Sequence, residues 1–421
     1  MNSKSVLILS AALAATVAFA DPNAPQITAC TVTQDPVTHL VQATYTLDEP
    51  AVITFDVRTN GVSIGGANLT HAYGDVHRVV TAGSHTLYWQ ADKAWQGYRL
   101  ASDFSVVAWA TNAPPDYMVV DLVVKKGERT YYIAPEQLPD GGVTNTKYKT
   151  DYLVMRRIPA KDAIFPMGLN NNTSGKFVYH RVMFTNDFYM AVYELTQGQF
   201  KNVLNESDWS LSYFSYISSS AADEYRTNLE APIPQLRYYE LRGYGKKWPE
   251  DGHEIDTDSR LNTFRTTLNL PTLDLPTEAE WEFACRAGTA GNRYDGTADG
   301  TLPTCGWVDG NWPPKAPHSV GLLQPNAFGL YDMIGNVAEL CLDLYNEGDA
   351  YAEYDPNRTK VPVVAPKGPE VDNGGGTTNR VMRGHGIWET YPIWNANSWY
   401  REPKLYSNNY PTFGYRLVCL P

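Results

Sequence analysis

With 421 residues, the chain is long enough for two or three domains and a large buried core. Charged residues make up only 19% while aromatics reach 12%, with 28 Tyr and 11 Trp, which excludes a disordered chain. The net charge of −12 leaves no basic stripe to neutralise phosphates, so no nucleic acid partner is expected.

Residues 1–20 read as a secretory signal peptide. Lys4 precedes an apolar run from Val6 to Val17, and Ala18-Phe19-Ala20 places small residues before a cut at Asp21. The run is too short for a transmembrane anchor, and no later one approaches the ~18 apolar residues that a spanning helix needs. The mature protein is therefore expected to be exported, to the periplasm or the cell exterior. Five cysteines, an odd number with no C-x-x-C among them, read mostly as small buried hydrophobes.

Residues 24–124 read as β-structure throughout. Candidate strands are 27–33, 40–47, 51–58, 77–82, 85–90, 105–110 and 117–123, rich in Val, Thr and Tyr and separated by Gly, Asn, Asp and Pro. Seven short strands in this span predict an all-β immunoglobulin-like or fibronectin-like sandwich. His39, His71, His77 and His85 lie singly at strand edges or turns and read as solvated. Residues 125–150, polar and Gly-rich, read as a linker, and a second domain of α+β class is expected over 151–421.

In that second domain two helices are legible. One follows Thr196, with Phe200 and Leu204 on one face. The other runs from Thr277 to Gly288, where Thr277 and Glu280 form a capping box; the cap accounts for the paired carboxylates better than acid–base chemistry does. The stretch Pro325 to Asp343 brackets a Gly335-Asn336 turn with Asp332 and Glu339. Carboxylates and turn carbonyls supply hard oxygens suited to Ca²⁺. On spacing alone, a strand, a plain Gly-Asn turn and then a surface strand or helix is the stronger reading.

Several blocks, in order, resemble the formylglycine-generating enzymes, or sulfatase-modifying factors: Phe165-Pro166-Met167-Gly168, Phe188 through Thr196, Leu275 through Gly288, Asn326 through Glu339, Arg380 through Gly384, and Gly414-Tyr415-Arg416. The resemblance implies a C-type-lectin-like fold and structural Ca²⁺ on the side chains of Asp332 and Glu339 and the carbonyls of Gly335 and Val337. The family's second calcium site is not expected, because Cys305 to Gln324 offers only Asp309 as a carboxylate. In catalytic relatives two cysteines near the last strands bind Cu(I). This chain has no cysteine from Leu342 through Val418, and the matching positions fall near Glu389 and Trp394. Copper is therefore not expected, and the formylglycine reaction reads as lost.

The segment that replaces the thiols is rich in Trp, Tyr and Asn. His385, Trp388, Glu389, Trp394, Asn397, Trp399 and Arg401 form the candidate ligand-binding set, suited to a glycan or peptide. Core roles for several of these aromatics account for them equally well, and a turn role for His385 is the stronger reading. Two functions follow: a ligand-binding pseudoenzyme, or an oxidase or other metal-dependent oxidoreductase acting on exported proteins.

Overall fold

The computed structural model describes residues 7–9, 24–97, 100, 104–169, 179–205, 224–233, 236–298, 301–308, 316–347, 361–372, 376, 378–386, 395–405, 407 and 413–421. The fold is mixed α/β and mostly strand. Two compact units divide it: Met1–Val119 with Arg129–Asn145 and Pro421, and Val120–Glu128 with Thr146–Leu420. Among the described residues no helix is long and apolar enough to cross a membrane.

In the first unit, alternating side chains build two antiparallel sheets. One pairs Ile27–Gln34, Leu40–Leu47, Gly83–Gln90 and Ala72–Gly74 in that order, with the Leu7–Leu9 backbone on its outer edge. The other centres on Ala51–Thr59, paired along its length with Phe104–Trp109 and briefly with Val62–Ser63 and Val79–Val80. Val41, Ala43 and Tyr45 from one sheet meet Ile53, Phe55 and Val57 from the other in a single apolar core. Phe55 stacks on Phe104 there, with ring centroids 5.3 Å apart.

Three expectations for this region need correction. The 77–82 strand shrinks to Val79–Val80, because His77 adopts a left-handed φ of 59° that ends the extended run. His77 is buried rather than solvated: its Nδ1 lies 2.9 Å from the Tyr131 carbonyl and its ring stacks on Tyr132. Burial pushes its pKa down to about 4, so it is neutral. The 125–150 stretch is also no open linker. It forms the Arg129–Tyr132 strand, a 3₁₀ turn at Pro135–Gln137 and the Lys147–Thr150 helix, and buries Tyr131, Tyr132, Leu138 and Tyr148. Its glycines mark turns within folded structure, and its tyrosines supply the apolar area that holds it down.

In the second unit, Tyr152–Ile158, Phe188–Ala191 and Val418–Cys419 form an antiparallel sheet. A second sheet has Ala338–Leu344 at its centre, antiparallel to Asn379–Arg383 and parallel to Phe413–Gly414, with Glu402–Leu405 outside Asn379–Arg383. Both expected helices form. Gln197–Leu204 is capped by Thr196 with Gln199 reaching back, and Glu278–Arg286 by Thr277 with Glu280. Tyr238–Arg242 and Arg260–Leu268 are further helices that the periodicity did not reveal. Leu261, Phe264 and Leu268 do form a buried stripe behind the Ser259 cap, but it is only three residues long.

The strand after the Gly335-Asn336 turn is not on the surface. All seven residues of Ala338–Leu344 are buried, polar ones included. Elements cover both of its faces, so the apolar and polar alternation that would mark an exposed strand has no reason to exist there.

Candidate functional site

The site is a buried charge centre behind the Gly335-Asn336 turn. Gly335 and Asn336 both have positive φ, 85° and 56°. A Cβ at Gly335 would lie 2.3 Å from the Trp307 carbonyl, so only glycine fits this close approach. The turn is pinned by Gly335 N–H donating to Gly384 O at 2.7 Å and Asn336 N–H donating to Trp307 O at 2.8 Å.

Behind it lies Glu194, which sequence reasoning did not single out. Its oxygens accept from Asn336 Nδ2 at 2.6 Å and from Val337 N–H at 3.1 Å. Burial, then the neighbouring charges of Asp332 and Glu339, hold its pKa well above the usual carboxylate range. The one available signal was a glutamate inside the otherwise apolar run from Met190 to Leu195.

Glu339 is paired with Arg416, whose Nη2 and Nε lie 2.7 and 3.0 Å from Oε1. Trp281 Nε1 donates to Oε2 at 2.7 Å. Arg416 also donates to the carbonyls of Ala191, Val192 and Tyr331, so one guanidinium ties two chain segments to Glu339. Asp332 Oδ2 accepts from Gly321 N–H at 2.6 Å, while its buried Oδ1 has no hydrogen-bond partner among the described residues. Burial pushes the Asp332 pKa up to about 6.

These contacts test the expected calcium set. The orphaned Asp332 oxygen suits a cation, but both Glu339 oxygens are already engaged by Arg416 and Trp281. As arranged, Asp332 offers a cation a free oxygen, whereas Glu339 offers none that is not already hydrogen-bonded. Among the described residues, no group of three or more His, Cys, Asp or Glu is placed to hold a metal ion.

A second buried network stands at the end of the Asn379–Arg383 strand. Arg383 Nε donates to Glu278 Oε1 at 2.9 Å and its Nη2 to Glu282 Oε2 at 2.8 Å. Arg401 grips Glu278 through Nε at 2.7 Å and Nη2 at 2.8 Å, and Arg286 holds Glu282 at 2.8 Å. Asp343 Oδ2 accepts from Glu278 N–H at 2.7 Å. Burial, reinforced by the Glu278 charge, pushes the Asp343 pKa up to about 7.

This network corrects part of the ligand-binding set. Arg401 is buried and spent on Glu278, so it is a structural cation. Asn397 is fully buried, its Oδ1 accepting from Tyr400 N–H at 2.9 Å. His385 is buried at a left-handed φ of 58°, with its ring edge-on to Tyr400. Trp399 is half-buried. Trp388, Glu389 and Trp394 lie outside the described residues.

The domain's thiols are buried as well. Burial holds the pKa of Cys285 and Cys341 well above the ordinary thiol value and pushes Cys305 up to about 12. Cys419 is buried with its Sγ 3.7 Å from Met155 Sδ. A surface cleft of about 910 Å³ lies elsewhere, between Trp248–Glu250 and Val361–Gly368, and no expected site residue lines it.

The ordered motifs, the capped Glu278–Arg286 helix and the Glu339–Arg416 pair define a mixed α/β domain built on a buried ionic frame. The chain belongs to the family described as "Sulfatase-modifying factor enzyme 1-like domain", which it matches over residues 158–419. It is 37% identical over 122 residues to a formylglycine-generating enzyme of Streptomyces coelicolor, covering 26% of this chain and 34% of that one. It is 24% identical over 221 residues to the formylglycine-generating enzyme of Mus musculus, covering 45% and 58%. The chain thus spans between about a third and three fifths of those relatives. Among solved structures, Treponema denticola variable protein 1 aligns with a TM-score of 0.47 at 20% identity, over 64% of this chain and 96% of that one.

Proposed function

We propose that this chain is an exported, non-oxidising member of its family that binds a glycan or peptide. In this reading a C-type-lectin-like domain follows an immunoglobulin-like sandwich. One observation supports it above the others: no cysteine occurs from Leu342 through Val418, where the chemistry needs a thiolate pair. Cys285, Cys305 and Cys341 are held neutral by burial, and a neutral buried thiol neither grips Cu(I) nor exchanges with a substrate thiol. The rival oxidase acting on exported proteins draws on the relatives' names alone.

With Arg401, Asn397 and His385 buried in the interior, the binding role in this proposal narrows to Trp388, Glu389, Trp394 and Trp399. Stacking indoles with a carboxylate acceptor suit a sugar ring or an aromatic peptide. A glycan and peptide array comparing wild type with Trp394→Ala tests the proposal. Binding to one ligand class that the variant loses is expected; identical wild-type and variant arrays defeat it.

A further inference from the structure

We infer that the outer face of the first unit's sheet of Ile27–Gln34, Leu40–Leu47, Gly83–Gln90 and Ala72–Gly74 is a binding surface for an extended, neutral polysaccharide. The inference is independent of the proposed function, because it concerns a different unit and different residues. Along Leu40–Leu47 the side chains alternate strictly: Val41, Ala43, Tyr45 and Leu47 are buried, while Gln42, Thr44 and Thr46 face outward. The register aligns those outward positions into rows across the sheet. One row is Thr31, Thr44 and Thr86, with the Thr44 and Thr86 hydroxyls 3.4 Å apart. The next row runs from Thr33 through Gln42 and Tyr88 to Tyr73.

Three features of this face select its occupant. Neither row contains a charged side chain, although the whole chain has a net charge of −12. Two rows without charge match a neutral chain better than an acidic or basic one. Each Thr hydroxyl and the Gln42 amide can both donate and accept, which is the pattern that sugar hydroxyls require. Rows across neighbouring strands repeat such groups every ~4.8 Å, which suits an extended polymer rather than a coiled one.

The aromatic pair supplies the apolar contact. Tyr73 and Tyr88 stack with ring centroids 5.1 Å apart and planes 18° from parallel, and Tyr73 is 47% exposed. Its ring is held by Tyr88 behind it, so little side-chain freedom remains to be lost when a sugar's C–H face settles on it. Tyr88, Gln42 and Thr33 continue from that anchor as a line of polar contacts.

The test is affinity gel electrophoresis of the full chain through gels holding hydroxyethyl-cellulose, xyloglucan or galactomannan, with alginate as the acidic counterpart. Retardation in at least one neutral gel and none in alginate is expected. Tyr73→Ala should weaken that retardation about tenfold, and Gln42→Ala should weaken it less, with circular dichroism unchanged in both. No retardation in any neutral gel overturns the inference. So does retardation by alginate alone, or retardation that both variants keep in full.

Discussion

Between the two sheets of the first unit the buried side chains are mainly apolar, from Val41 and Ala43 to Phe55 and Trp89. In the second unit Arg242, Arg383, Arg401 and Arg416 lie buried beside Asp274, Glu278, Glu282 and Glu339. One unit uses its strand alternation to sort apolar from polar. The other has a loop-rich chain with few long periodic elements, and guanidinium forks bridge what sheet pairing does not. Each such fork satisfies several carbonyls and carboxylates at once, so it fixes geometry where an apolar contact would only exclude water.

The contrast predicts how each unit breaks. Arg383→Met leaves Glu278 and Glu282 buried without that cation, and should cost about 3–5 kcal/mol in urea unfolding of the second unit. If the loss stays below ~1 kcal/mol, the ionic frame is incidental. In the first unit, Leu87→Ala removes a fully buried side chain and should cost about 2–4 kcal/mol, with no dependence on pH between 5 and 8. A cost near zero would mean that this core is not close-packed.

Asp343 sharpens the comparison because its effect has a sign. Its folded pKa of about 7 lies above the usual 3.8, so the unfolded chain ionises first as pH rises. Stability from this group is therefore full below pH 4, falls between about 4 and 7, and stays low above. Asp343→Asn should remove that slope and leave the variant ~2 kcal/mol more stable than wild type at pH 8. A variant with the wild-type pH profile would show that Asp343 is not desolvated. The smallest expected effect is Thr277→Ala, which deletes a helix cap and should cost about 1 kcal/mol.

The parts of the fold legible in sequence were those whose cause is local. The alternation at Leu40–Leu47 and the Thr277–Glu280 box each sit within a few residues, and both formed as expected. What escaped was fixed by distant partners. Arg401 looked like a ligand-binding group because its acceptor, Glu278, lies 123 residues away. His77 looked solvated because Tyr131 and Tyr132, which enclose it, come from the stretch that read as a linker. Glu194 was invisible for the same reason: Asn336 and Val337 are more than a hundred residues on.

The most direct measurement is mass spectrometry of a cysteine-containing sulfatase peptide after incubation with the full chain, Cu(I) and oxygen. With no cysteine between Leu342 and Val418 and the remaining domain thiols buried, the peptide should keep its mass and its thiol. Multiple-turnover conversion of that thiol to an aldehyde would contradict the account.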